Sequence, residues 1–264
     1  MRDDNRIVQG FWHGAPLTTM ERLSMQSFVH WGHEFHLYVY DGNMKGVPNN
    51  VHLHNAAEIM PESKIDTFRC AQQMSDYFRI ALLYKCGGWY SDLDNVLLKY
   101  LDFESEFVFY RDHDESTISF ALSKAPAGSA LFKHCYDFLR NMPSEDRAHL
   151  DWQEIGSDFA CGAVEYHQMT GFAKSGRTFD PVHWENVRTV VDPTVKWDLN
   201  DSYSVHLFHA AWNAGPKDKT GRGFDLGQRP GVPLDTDREY SPECLYEQLK
   251  ERYLRKLEVK NAGV

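Results

Sequence analysis

The chain has 264 residues, 42% hydrophobic and 25% charged, an ordinary balance for one large globular domain with a core of its own. Its formal net charge is −10 and no run of Lys or Arg reaches five residues, which argues against nucleic acid as a main partner and against tight binding to anionic lipid. The five cysteines are an odd number without a Cys-x-x-Cys pair, so a disulfide frame or a zinc ribbon is not expected.

Free thiols and a charged N-terminus without a signal-length apolar stretch suit a cytoplasmic protein. The longest aliphatic run, around "IALLY", is too short for a transmembrane segment. Aromatic residues make up 14%, which suits stacking on bases or sugars as well as a core of large rings.

In chain order, "RIVQGFWHG" is a short apolar run closed by glycine and reads as a first strand. "TTMERLSMQSFVHWG" follows as a helix capped by Thr18 or Thr19, with Met20, Leu23, Ser27 and Trp31 at helical spacing. "HEFHLYVYDG" alternates as a strand ending in an Asp-Gly turn, and "VPNNVHLHN" is a shorter one. This is an α/β opening with a mostly parallel sheet, whose ligand site belongs at the carboxyl ends of the strands. Trp12 and Asp41 stand at such ends.

"RCAQQMSDYFRIALLYKCGG" keeps the 3.6-residue period through Met74, Tyr77, Phe78, Ala81, Leu82 and Lys85, and Gly87 can end it in the left-handed conformation. Asp76 and Arg79 emerge from one face of this helix, and spacing alone makes them a surface ion pair. "WYSDLDNVLL" reads as a strand entering a turn, "EFVFYRD" and "TISFALSKA" as strands, and "SALFKHCYDFLRNM" and "SDFACGAVEYHQM" as helices. "SYSVHLFHAAW" is an apolar run bearing His206, His209 and Trp212. Residues 213–239 read as a long loop. "SPECLYEQLKERYLRKLEVK" closes the chain as a surface helix capped by Ser241, with Pro242 at its first position and Leu245, Leu249, Tyr253 and Leu257 in its stripe.

Asp92 and Asp94 form an Asp-x-Asp pair that allows three chemistries. A calcium loop starting at Asp92 needs an oxygen ligand and a glycine where Val96 and Leu97 stand. A haloacid-dehalogenase-like phosphatase would use the first Asp as nucleophile, but its motif follows a long apolar strand and a later acidic pair is missing. In a nucleotide-sugar site, two carboxylates at a strand end hold Mn²⁺ or Mg²⁺ and reach the ribose, and the cation neutralises the diphosphate leaving group. The pair alone does not choose.

Its surroundings do. "SDYFRIALLYKCGGWYSDLD" resembles the core of glycosyltransferase family 32, the sugar-binding region containing the Asp-x-Asp motif, and more distantly the large clostridial glucosylating toxins. The resemblance implies a single GT-A-like domain over residues 1–264, a Rossmann-type mixed sheet flanked by helices, with 213–264 a loop plus a C-terminal helix. It implies that Asp76 and Arg79 contact the donor sugar, and that Trp12, in "IVQGFWHG", stacks on the base. From "SVHLFHAAW" it implies that His206 or His209, with Trp212, closes the metal and diphosphate site, His206 being slightly preferred. Asp94 is then the direct metal ligand, and Asp92 bridges metal and ribose or reaches the metal through water.

Where the family often carries Gly-Pro before a helix, "EIGSDFACGAV" has Ser157 in place of the proline. The implied reaction is metal-dependent, retaining transfer of a hexose to a glycan or lipid-linked glycan such as a bacterial capsule or lipopolysaccharide. A UDP-sugar is the favoured donor and a GDP-sugar the other candidate. The alternatives are the phosphatase and a toxin-like enzyme acting on a protein hydroxyl.

Overall fold

The computed structural model describes residues 3–150, 152–212 and 233–255. The expected loop from 213 lies outside the described residues up to 232, as does Leu257. In chain order the main elements are β1 (Ile7–Phe11), α1 (Thr19–His30), β2 (Glu34–Val39), β3 (Val51–Asn55), α2 (Ala71–Lys85), β4 (Gly88–Ser91), β5 (Asn95–Leu97), β6 (Val108–Arg111), β7 (Ile118–Ala125), α3 (Ala130–Asn141), the helix Ser157–Tyr166, β8 (Ala173–Lys174), β9 (Ser204–His206) and the C-terminal helix Leu245–Lys250.

Seven strands form one sheet in the order β3-β2-β1-β4-β7-β6-β8, and β5 and β9 make a separate antiparallel pair. β3, β2, β1 and β4 run parallel, whereas β7 is antiparallel to both β4 and β6. Strand direction therefore reverses beside β4, the strand that leads into the Asp-x-Asp pair. The sheet is mixed α/β with helices on both faces, the fold class expected from the sequence.

Alternation along the strands sends side chains to two cores. Phe35, Leu37 and Val39 of β2 meet Phe28 of α1 on one face. Tyr38 packs on the other face with Phe11 and Phe78, where α2 and α3 supply Leu82 and Phe132. A third cluster joins Met20 and Leu23 of α1 to Val96 of β5, Val205 of β9 and Tyr246 of the C-terminal helix.

Local chemistry fixes the helix ends. Thr18 caps α1, and the Glu21 carboxylate returns to the Thr18 N–H at 2.6 Å, a closed capping box. Gly87 ends α2 with φ +64°, and a Cβ there would lie 2.3 Å from the Ala127 nitrogen, so no other residue fits without moving the backbone.

The C-terminal helix departs from expectation twice. It starts at Leu245 with Cys244 at its cap, so Ser241 and Pro242 precede it. It is also a core helix rather than a surface one: Leu245, Tyr246, Leu249 and Tyr253 are buried, and so are Glu247 and Lys250. These two charges pair with each other and are satisfied further by the Tyr240 N–H, the Arg238 carbonyl and Arg255. The cysteines are free thiols. Among the described residues, no helix is long and apolar enough to cross a membrane.

His33 ties the start of β2 to two distant segments. Its Nδ1 lies 2.8 Å from the Asn5 carbonyl, and its Nε2 accepts the Leu101 N–H at 3.2 Å. Both nitrogens are used by the neutral ring, and burial holds its pKa down at about 4 against the backbone bonds that raise it. The folded value lies below the unfolded one, so this stability is full above pH 6.5 and is lost as pH falls towards 4. Between pH 7 and pH 5 the expected loss at this site is about 2 kcal/mol. His33→Gln, which can serve the same two backbone groups, should lose about 2 kcal/mol less than wild type in urea titrations at these two pH values. Parallel pH curves for the two proteins would show that His33 does not carry the effect.

Candidate active site

The site grows from the turn after β4. The Gln9 side chain donates to the Gly87 carbonyl at 2.7 Å and holds the strand's entry. At its exit the Asp92 N–H donates to the Ala121 carbonyl at 2.7 Å, and Asn95 donates through its side chain to the same carbonyl at 3.1 Å. Leu93 is buried between the two aspartates, and a Cβ on Gly10 would come within 2.9 Å of its Cδ2. Glycine at position 10 thus lets β1 approach the turn. Asp92 and Asp94 stay half-buried, at the carboxyl end of β4.

Asp92 is held from α2. Arg79 donates from Nη2 to its Oδ2 at 2.6 Å and pairs through Nη1 with Asp76 Oδ1 at 3.1 Å. The Tyr90 hydroxyl donates to Asp92 Oδ1 at 2.9 Å. Asp76 and Arg79 are thus no loose surface pair, since each side chain is only 12% exposed. Burial pushes the Asp76 carboxyl up to about 7, with Arg79 opposing and Asp92 adding repulsion. Burial also raises Asp92, and the attraction of Arg79 only partly offsets it.

Asp94 is held from the other side, by the β5–β9 pair. β9 sets His206 opposite Asn95, and the Leu207 N–H donates to the Asp94 carbonyl at 2.8 Å. His206 Nε2 then lies 3.2 Å from Asp94 Oδ1, while the backbone N–H of His209 donates to Oδ2 at 2.9 Å. Phe208 between them takes φ +47°, and its ring stacks on His206 at 3.8 Å. Burial would raise the Asp94 carboxyl, but His206 and the His209 N–H outweigh it and hold it well below the usual range. His206 is shifted in the opposite sense: burial opposes its charge, but Asp94 raises it.

The two histidines are therefore placed differently. His206 offers its ring to Asp94, whereas His209 turns Nδ1 to the buried Glu21, 3.0 Å away. Trp12 lies at the end of β1, half-buried, its ring parallel to that of His209 at 6.3 Å. The structure thus gathers Trp12, Asp76, Arg79, Asp92, Asp94, His206 and His209 at one end of the sheet.

Trp212 does not join them. It is fully buried against Tyr246 in the third core cluster, so the expected ligand-facing role is corrected to a packing one. Its indole N–H has no partner among the described residues.

Three residues were missed by sequence reading. Glu21 joins the α1 capping box to His209. Tyr110 brings its hydroxyl to 3.5 Å from His206 Nδ1. Asp180 is buried with one carboxylate oxygen unpartnered among the described residues. Its pKa is raised to about 7, chiefly by burial, with His206 opposing and Asp112 and Asp94 adding repulsion. The capping pattern Thr18-x-x-Glu21 was visible in sequence, but nothing there announced a second task for Glu21.

The donor set suits a divalent cation. Asp94 Oδ1 is buried, makes no hydrogen bond among the described residues and faces the His206 ring nitrogen at 3.2 Å, and carboxylate with imidazole is a set that Mn²⁺ accepts. Asp92 is less free, since Arg79 and Tyr90 take its two oxygens. This also counts against Asp92 as the exposed nucleophile of a phosphatase.

Residues 23–114 match the family model described as "Glycosyltransferase sugar-binding region containing DXD motif". The match spans α2, β4 and the Asp-x-Asp turn. No curated protein matches the chain. Among solved structures, one similar chain is the PaToxG Glycosyltransferase, at 14% identity and a TM-score of 0.49, covering 63% of this chain and 70% of that one. With a sugar-binding Asp-x-Asp region laid across α2 and β4, the chain is an enzyme of the glycosyltransferase type.

Proposed function

We propose that the chain transfers a hexose from a nucleotide sugar to a hydroxyl of a glycan or lipid-linked glycan, as a retaining enzyme of the family 32 type. A UDP-sugar is the favoured donor, with a GDP-sugar as the other candidate. The observation that carries this reading is the continuous polar chain at the carboxyl end of β4: Asp76, Arg79 and Asp92 on one side, Asp94 and His206 on the other.

In this reading each residue has a separate task. Asp94, with His206, holds Mn²⁺ or Mg²⁺, and the second ligand position of Asp92 is served through water or the ribose. Bound there, the cation neutralises the charge that develops on the diphosphate as the sugar–oxygen bond breaks. Trp12 stacks on the base. Asp76 accepts from the sugar hydroxyls, and Arg79 fixes the relative position of Asp76 and Asp92, two carboxylates that would otherwise repel. Tyr110 and Glu21 orient His206 and His209, as groups behind a ligand orient it. The acceptor hydroxyl attacks the face that the diphosphate leaves, and the leaving phosphate takes its proton.

Asp94 can be tested by donor binding. With UDP-glucose and Mn²⁺ at 100 times Kd, the native state gains about 2.7 kcal/mol, a rise in Tm of roughly 5–10 °C for a domain of this size. Asp94→Asn, or chelator added to wild type, should abolish the rise. A metal-independent rise that persists in Asp94→Asn would remove the metal assignment.

Arg79 separates sugar recognition from nucleotide binding. Arg79→Lys keeps the charge but loses the two-pronged bridge, so kcat/KM for the nucleotide sugar should fall about 10²–10³-fold. Affinity for the free nucleoside diphosphate should stay within about threefold of wild type. Equal losses for both ligands would place Arg79 outside the sugar subsite.

A further inference from the structure

At the amino-terminal end of β2, away from the Asp-x-Asp turn, a second set of metal-binding side chains comes together. One donor atom each from Glu34, His36 and His52 lies within 4.8 Å of the other two, and among the described residues no other His, Cys, Asp or Glu trio does so. β2 and β3 are parallel and in register, with His36 opposite His52 and Tyr38 opposite His54. Period-two alternation puts Glu34 and His36 on one face of β2, and the register puts His52 beside them. The arrangement follows from backbone pairing of "EFHLY" with "VHLHN", not from a chance meeting of loops.

The second ring nitrogen of His36 supports this. His36 Nδ1 lies 3.0 Å from His54 Nε2, and the two rings are near-parallel at 4.7 Å. When Nδ1–H donates to His54, the lone pair of His36 is left on Nε2. That nitrogen is buried, has no hydrogen-bond partner among the described residues and sits 4.0 Å from the Glu34 carboxylate. A ligand imidazole whose other nitrogen is bound by a neighbour is the usual form of a metal site. Glu34 is shared with Arg6 at 3.3 Å, on an exposed pair that a cation can displace at little cost.

We propose that Glu34, His36 and His52 form a second, imidazole-rich divalent metal site, selective for Zn²⁺ over the Mn²⁺ or Mg²⁺ of the Asp-x-Asp region, with His54 positioning His36. Two imidazoles and one carboxylate match the three-ligand Zn²⁺ set, which keeps a fourth position for water. Tetrahedral Zn²⁺ at about 2.1 Å from each ligand needs donor atoms roughly 3.4 Å apart, so the trio closes by about an ångström. Glu34 and His52, half-buried and exposed, have the freedom to do so. The bound ion would link the edge strand β3 to β2 by side chains as well as by the ladder.

The test is Zn²⁺ binding by equilibrium dialysis of the full chain with metal analysis, alongside His52→Ala, His54→Phe and Asp94→Asn. Wild type should bind Zn²⁺, His52→Ala at least 10–100-fold more weakly, and His54→Phe about 10-fold more weakly. Asp94→Asn should keep this binding, since the ligands are not at the Asp-x-Asp turn. Equal Zn²⁺ affinity in His52→Ala and wild type, no binding by wild type, or loss of the same binding in Asp94→Asn would each overturn the proposal. His52 is exposed on an edge strand, so His52→Ala should fold as wild type does, which circular dichroism checks.

Discussion

The Arg79 guanidinium is the constraint on which the rest of the site depends. It lies between two carboxylates from different elements, Asp76 on α2 and Asp92 at the end of β4. Without it, two half-buried like charges would face each other. Burial pushes the Asp76 carboxyl up to about 7 even with Arg79 opposing it, so the cation is what keeps the shift from going further. A single side chain thus fixes the angle at which α2 delivers its polar face to the strand end. Truncating a buried pair of this kind costs roughly 3–5 kcal/mol, so Arg79 is also a stabilising residue of the fold.

Asp94 shows the same logic from the opposite direction. Its partner is supplied not by α2 but by a two-stranded ladder, β5 with β9, that brings the chain back from a point more than a hundred residues later. The carboxylate has a ring nitrogen 3.2 Å from one oxygen and a backbone N–H donating to the other, and the strained Phe208 lies between His206 and His209. The two aspartates, one residue apart, therefore belong to different packing units. Leu93 between them is buried, and Gly10 makes room for it. The motif is short because it spans a seam.

That seam explains what could be read in the sequence. The run from Asp76 to Asp94 is one helix, one glycine turn and one strand, and each announces itself by period or by a left-handed glycine. Local order carries Asp76, Arg79, Asp92 and Asp94 to one place, and sequence spacing reports local order. Glu21, Tyr110 and Asp180 reach the site through separate elements, and no spacing encodes such meetings. Trp212 illustrates the opposite error: a short apolar run with histidines suggests a ligand wall, but its indole is the filling of the third cluster. Likewise the mixed charges of the C-terminal helix suggested a surface element. The structure buries Glu247 and Lys250 against each other, and a one-dimensional pattern cannot distinguish a satisfied internal pair from two solvated charges.

The two ends of the sheet divide the metal chemistry by donor type. At the carboxyl end carboxylates dominate, and the ion proposed there would share Asp94 with His206 and be one of the oxygen-seeking metals that also bind phosphate. At the amino end imidazoles dominate, one ring nitrogen is without a partner among the described residues, and the proposed ion is a softer one. The parallel pairing of β1, β2 and β4 sets this polarity, because parallel strands put all their carboxyl ends on one side. An ion bound between β2 and β3 would act on the sheet's outer edge and leave the turn after β4 to Arg79. The two proposed metals, one catalytic and one stabilising, can coexist in one sheet on these terms, since the strands keep the two donor sets apart and the donor atoms favour different ions.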